Sequence, residues 1–193
     1  MGPAPANVVP LHRPGEEPDA ALVGQAIDGA EWAKEALFRR HVKRALGLAY
    51  RILPEDDPDD VVQEAFIRAF DRLRDLSQPS AFGAWLGSIV VSLAKMRLRK
   101  RRWLSRLGLA SSEPIDPDAL FSRDAPLEVR MEVRDVYGAL HRLTEHQRIA
   151  LVLKRVEGYE FEEIARLMDI SVSTAKRRVA EAEEQLGKEA NDE

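Results

Sequence analysis

The chain has 193 residues, with 29 Lys+Arg against 33 Asp+Glu, 45% apolar residues and no cysteine. That length holds one ordinary domain or two small ones, and a formal charge of −4 excludes a globally basic DNA-coating protein without excluding local basic patches. Zero cysteine excludes a disulfide framework, a thiolate zinc site and a cysteine nucleophile, and it fits a reducing, cytoplasmic location.

In chain order, residues 1–18 hold five prolines and little apolar content, so they are expected to form a flexible tail, with no signal-peptide core. From residue 19 the apolar residues recur at helical spacing. Val62, Phe66, Ala69, Leu73 and Leu76 form one stripe, and Phe82, Leu86, Ile89, Leu93 and Met96 a second. Val129, Val133, Val136, Leu140 and Leu143 repeat the pattern, as do Val172, Ala175, Val179, Ala182 and Leu186. No stretch alternates with period two, so the fold class is all-α. Helices are predicted at about 19–29, 31–53, 58–76 and 80–104, then at about 127–142, 145–156, 160–168 and 171–187. Gly108–Pro126 carries three prolines, three serines and four acids with no amphipathic stripe, which marks a flexible linker. The expected organisation is a domain at 19–106, a linker at 107–126, a second small helical domain at 127–187 and an acidic tail at 188–193. No apolar run is expected to reach the roughly 18–20 residues of a membrane helix. Trp32, Trp85 and Trp103 are read as core or core-edge aromatics, with Trp85 packed beside the Phe82/Leu86 stripe.

The charges are segregated. Glu55, Asp56, Asp57, Asp59, Asp60 and Glu64 form an acidic block, and helix-dipole complementarity accounts for it as well as a binding role does. Lys95, Arg97, Arg99, Lys100, Arg101, Arg102 and Arg106 follow as seven cations with no intervening acid. One or two cations satisfy a helix C-terminus, whereas seven repel one another, so a polyanion partner is the better explanation.

The C-terminal half reads as a helix-turn-helix. Phe161, Ile164, Ala165 and Met168 make a short amphipathic helix, Asp169-Ile170 the turn, and Ser171 an N-cap that accepts an orphan amide proton. The second helix carries Ser173, Lys176, Arg177 and Arg178 off its apolar stripe, as a helix entering a DNA major groove does. At about 100° per residue, Arg177 stands almost opposite that stripe, with Lys176 and Arg178 about 80° to either side of it. An ordinary helical hairpin with a solvated basic face is the simpler alternative. Catalytic and metal patterns are missing: the four histidines are scattered, and no HExxH, calcium loop or phosphate-binding glycine loop occurs. The chain is therefore expected to be neither an enzyme nor a carrier of a cofactor or metal.

Asp60-Val61-Val62-Gln63-Glu64-Ala65-Phe66 resembles the D-[LV]-V-Q-E-x-F motif in region 2 of extracytoplasmic-function (ECF) sigma factors, and Phe82-Gly83-Ala84-Trp85-Leu86 with Ile89 resembles the segment that follows it. Leu143–Leu186 is similar to region 4, including Gln147-Arg148, Glu157-Gly158, Glu162-Glu163-Ile164-Ala165 and Ile170 to Lys176. The resemblance spans roughly residues 19–187, with both blocks in order. It implies binding to core RNA polymerase, recognition of the promoter minus-ten and minus-thirty-five elements, and promoter opening. On the matching positions it assigns polymerase contact to Asp60, Gln63 and Glu64. It assigns the minus-ten element to the loop at 75–82, with Ser77, Gln78 and Ser80, and to Lys95, Arg97, Arg99 and Lys100 on the helix beyond. The minus-thirty-five element falls to Ser171, Ser173, Thr174, Lys176, Arg177 and Arg178. An anti-sigma factor, common in the family, is implied as a further partner. The chain departs from the pattern at Ser92 and Met96, where the family has Asn and Asp, at Asp169 for a turn glycine, and at Arg177 for a small residue.

The runner-up is a helix-turn-helix regulator that does not act through core polymerase. It leaves residues 19–104 unexplained, because a receiver domain there needs alternating strands and helices. A protein-interaction scaffold gives no reason for the run of cations.

Overall fold

The computed structural model describes residues 17–53, 58–109 and 127–192, with side chains in all of these except 127–133 and 189–192. Residues 1–16, most of the proposed linker, and Glu55, Asp56 and Asp57 of the acidic block lie outside the described residues. The order is α1 (Asp19–Ile27), α2 (Glu31–Ile52), α3 (Pro58–Asp71), α4 (Phe82–Arg106), α5 (Leu127–Arg142), α6 (Glu145–Leu151), α7 (Phe161–Met168) and α8 (Val172–Asp192). No strand occurs among the described residues, and the helices form two small all-α domains.

In the first domain, α1 through α4 close over Leu22, Leu37, Leu48, Val62, Phe66, Phe82, Leu86 and Val90, all buried. Each such side chain contributes about 1.5–3 kcal/mol on leaving water, so the stripes seen in the sequence hold this domain together. Pro58 opens α3, where a missing N–H costs nothing, and Asp59 and Asp60 in the first turn complement the helix dipole. The helix stops at Asp71, short of the predicted 76, and Leu73–Asp75 winds as a 3₁₀ turn. There Arg72 donates to the Asp75 carboxylate at 2.9 Å, a pair that the three-residue repeat brings into register.

The second domain packs α6, α7 and α8 around Ile149, Leu153, Ile164, Ala175, Val179 and Ala182. Here several motif residues prove to be architectural. Gln147 forms a capping box with Thr144, whose backbone N–H donates to Gln147 Oε1 at 3.1 Å. Glu163 caps α7 in the same way through the Glu160 N–H, at 2.8 Å. Gly158 turns the chain at φ 75°, and Arg148 is buried. After Leu151 the helix continues as a π turn over Val152–Val156.

Five expectations need correction. Val136 is 57% exposed, and its neighbour Tyr137 is buried instead, edge-on to Tyr50 with ring centroids 4.7 Å apart. Met96 is exposed while Leu98 takes the core position, which continues the stripe from Ala94 by four residues. Trp103 (61% exposed) and Trp32 are not core aromatics, whereas Trp85 does pack against the core. The helical stretch Pro79–Arg106 contains an apolar 18-residue window of mean hydropathy 1.3. Its buried face belongs to the first domain, as in the core helix of a soluble fold. Helix α8 also runs on to Asp192, past the expected end at 187.

Candidate functional site

Asp60, Gln63 and Glu64 share one outward face of α3, because Val62 and Phe66 anchor the opposite face in the core. Glu64 accepts from Arg68 at 2.6 Å, one turn on. Arg97 of α4 comes to 3.9 Å from both the Asp60 and the Glu64 carboxylates. The sequence grouped Arg97 with the minus-ten cations, yet here it borders the acidic face. Ile67 continues that face and is 55% exposed, an apolar contact the motif did not flag. Exposed apolar residues next to charged ones are what a docking surface offers.

The segment between α3 and α4 presents Ser77, Gln78, Pro79 and Ser80 to solvent. Pro79–Ala81 forms a 3₁₀ turn at the entry to α4, and α1 packs along it. Helix α1 is itself fixed by Asp19, which binds Arg40 at 2.6 Å and His41 at 2.9 Å. His41 lies against the Phe82 ring, and a Cβ on Gly83 would come within 2.9 Å of its Cε1. A larger residue where α4 starts would therefore push against this histidine. None of this support was visible as a motif, since its members lie far apart in sequence.

Further along α4, Lys95, Arg99 and Arg102 recur at helical spacing on one face and line a cleft of about 180 Å³. Glu145, His146, Met168 and Asp169 of the second domain form its other wall. Lys95 Nζ donates to the Leu167 carbonyl at 2.6 Å, at the end of α7. Burial pushes the Lys95 ammonium below its ordinary value, with Asp169 opposing that shift and Arg99 adding to it. Lys100 is exposed and does not line this cleft.

The helix-turn-helix is built as the sequence requires. The Thr174 N–H donates to Ser171 Oγ at 3.1 Å, closing the start of α8, and Ser171 also meets the Ser173 and Thr174 hydroxyls. Asp169 holds the turn at φ 56°, ψ 53°, the left-handed region that favours glycine. Aspartate occupies that region more readily than most non-glycine residues. On α8, Ser173, Lys176 and Arg177 are exposed. Lys176 Nζ lies 5.7 Å from the Phe161 ring centroid on one side, and Arg178 faces His146 on the other. Arg177 points outward, with Glu181 3.6 Å away one turn on. The angular order expected from the sequence is thus the observed one.

Two family models match the chain: Sigma-70 region 2 over residues 37–104 and Sigma-70 region 4 over residues 134–186. The ECF RNA polymerase sigma-E factor of Haemophilus influenzae is 30% identical over 184 residues, covering 87% of this chain and 93% of that protein. Its counterpart in Escherichia coli K12 is 32% identical over 175 residues, covering 87% and 92%. Among solved structures, CnrH in complex with the cytosolic domain of CnrY superposes with a TM-score of 0.61 at 26% identity, covering 91% of this chain and 98% of that one. The sigma factor RpoE of Bartonella quintana, in complex with the anti-sigma factor NepR, shares the fold with a TM-score of 0.61 at 23% identity, covering 80% and 94%.

His146 stands at the exposed rim of this cleft. Burial holds its imidazole below the ordinary histidine value, and Arg178, Arg102 and Lys95 repel the added proton more than Glu145 attracts it. Arg99 and Asp169 complete the charged groups around it. The unfolded chain therefore takes up this proton first, so the stability present above about pH 6.5 declines as pH falls through the lower folded value. Urea unfolding of the native chain should lose more stability between pH 7.5 and 5.5 than His146→Gln does. Equal losses would show that His146 does not titrate in this way.

Proposed function

The chain belongs to the ECF sigma factors of RNA polymerase, and from that membership we propose how its surfaces divide the recognition of polymerase and promoter. As a sigma factor for promoter recognition, its partners are core RNA polymerase and promoter DNA. Asp60, Gln63 and Glu64, with Ile67 beside them, dock on core polymerase. Ser77, Gln78 and Ser80 meet the minus-ten element, and Lys95, Arg99 and Lys100 track its backbone. Arg97 serves the polymerase side, because it borders Asp60 and Glu64. Ser171, Ser173, Thr174, Lys176, Arg177 and Arg178 read the minus-thirty-five element. The chain positions DNA while the polymerase performs the chemistry, in the cytoplasm where the polymerase works. An anti-sigma partner is part of this proposal, as the family implies.

The observation that carries the reading is an acidic face and a basic recognition helix on two separate helical domains of one chain. A simple DNA-binding regulator needs only the second of these. A rigid polar face with an apolar neighbour suits a protein partner, and the outward order Lys176, Arg177, Arg178 suits a groove and its two phosphate walls.

Two experiments test the division. Asp60→Arg with Glu64→Arg should abolish association with core polymerase in a fluorescence titration while the helical circular dichroism and melting curve persist; unchanged affinity would refute the assignment. On α8, Arg177→Ala should cost on the order of 1–3 kcal/mol and relax preference at one or two base pairs. Lys176→Ala should instead weaken binding to all sequences and lower the salt slope by about 1. An Arg177→Ala chain with unaltered sequence preference would make that side chain a phosphate or solvent contact.

A further inference from the structure

The loop assigned to the minus-ten element is held by more than its own backbone. Ser77, Gln78, Pro79 and Ser80 are all exposed, and the short 3₁₀ turns Leu73–Asp75 and Pro79–Ala81 bracket the tip. Leu73 and Phe82 are buried, so the core pins the two ends of this stretch. The shape of what lies between them depends on what packs alongside.

Helix α1 packs alongside. Its buried side, Leu22, Val23 and Ala26, seats it on the first domain, and the helix contacts both 3₁₀ turns. At its C-terminal end the Ile27 carbonyl accepts from the Arg74 guanidinium, in the first of those turns, at 3.2 Å. The last carbonyls of a helix have no partner within it, and a cation there also complements the helix dipole. At its N-terminal end Asp19, its side chain 16% exposed, binds Arg40 and His41 of α2. His41 carries that contact to the far end of the loop. Its ring centroid stands 5.3 Å from that of Phe82, and its Cε1 and Nδ1 lie 2.9 and 3.1 Å from where a Cβ on Gly83 would be.

The two ends of a nine-residue helix are thus tied to the two ends of the loop, one directly and one through α2. A loop held in this way meets DNA with its shape already set. A loop without such support must be ordered by the DNA, and the entropy of that ordering is taken from binding. Charge alone argues the other way for Asp19. Its removal takes the net charge of −4 one unit up, which favours a polyanion. A bracing role and an electrostatic role therefore predict opposite signs for the same substitution.

Resting on the minus-ten assignment of this loop, we propose that α1 is a brace for strand capture, with Asp19, His41 and Arg74 as its positioning residues. They fix the backbone that presents Ser77, Gln78 and Ser80 to the DNA. Docking on core polymerase belongs to the outer face of α3, and it does not depend on the brace.

The test uses the full chain with core polymerase and a promoter selected by that complex. Asp19→Ala should slow bubble formation, read as the rate at which minus-ten thymines become permanganate-reactive, by about fivefold or more. Affinity for core polymerase should stay unchanged in a fluorescence titration. Arg74→Ala should also slow opening while the salt slope of strand binding stays the same. A slope lowered by about 1 would instead make Arg74 a phosphate contact and remove it from the brace. The chain has no cysteine, so a spin label on Gln78→Cys reports the loop alone. Its spectrum in the free chain should show faster nanosecond motion when Asp19→Ala is added, with unchanged helical circular dichroism. Opening at the native rate or faster in Asp19→Ala, or an unchanged spin-label spectrum, would overturn the proposal. So would an affinity for core polymerase that falls in step with opening, because α1 would then support the whole domain. Glycine in place of Ser77, Gln78 and Ser80 reads the minus-ten assignment separately. If that chain still opens the promoter, the assignment fails whatever Asp19→Ala does. If it does not open while Asp19→Ala opens normally, the brace alone fails.

Discussion

Everything in the first domain depends on the rotation of one helix. Phe82, Leu86, Val90, Leu93, Ala94 and Leu98 are buried along the 25-residue α4, and together they fix which way every other residue on it points. At about 100° per residue the cations that follow are then sorted without further choice. Arg97 is turned toward α3 and its carboxylates, while Lys95, Arg99 and Arg102 are turned toward the second domain. A run of seven cations that reads as one patch in the sequence is, in space, at least two surfaces. Rotating α4 to regroup them would withdraw several apolar side chains from the core at about 1.5–3 kcal/mol each. That cost exceeds what exposed ion pairs return, so packing decides and electrostatics follows.

The same burial sets how the molecule uses charge. Acidic and basic residues nearly cancel in total, and each charged face also carries a neighbour of opposite sign: Arg68 and Arg97 beside the carboxylates of α3, and Glu181 beside Arg177 on α8. In the division proposed above, the acidic face of α3 meets a protein and the basic start of α8 meets DNA. Between them, the α4 cations Arg101 and Arg102 face Glu145, and Lys95 meets the end of α7.

How much of this was legible depended on how local each determinant is. The recognition helix was readable almost to the residue. Ser171 caps it through an amide three positions away, and the order of Lys176, Arg177 and Arg178 follows from helix geometry alone. The Pro58 start of α3 was equally local. What could not be read was settled between distant segments. Arg44 and Glu157 lie 113 positions apart, and nothing near either one announces the other. Val136 and Tyr137 are adjacent apolar residues on α5, and only the edge-on contact with Tyr50 of α2 decides that the tyrosine turns in. Trp103 lies beyond Leu98, past the last buried position on α4, so an aromatic that reads as core stands in solvent. The role of α1 was hidden for the same reason, because Asp19 supports the entry to α4 by way of His41 and Phe82 rather than through any contiguous motif.

The account as a whole stands on the claim that both domains act together on a promoter through core polymerase. The direct measurement is permanganate reactivity of thymines in promoter DNA selected from a random library by the complex of this chain with core polymerase. The account predicts a reactive bubble around the minus-ten element only when chain and core are both present, lost when Ser77, Gln78 and Ser80 are replaced by glycine. Selected DNA that the chain binds as an unbroken duplex, with no reactive thymines when core polymerase is added, would contradict it.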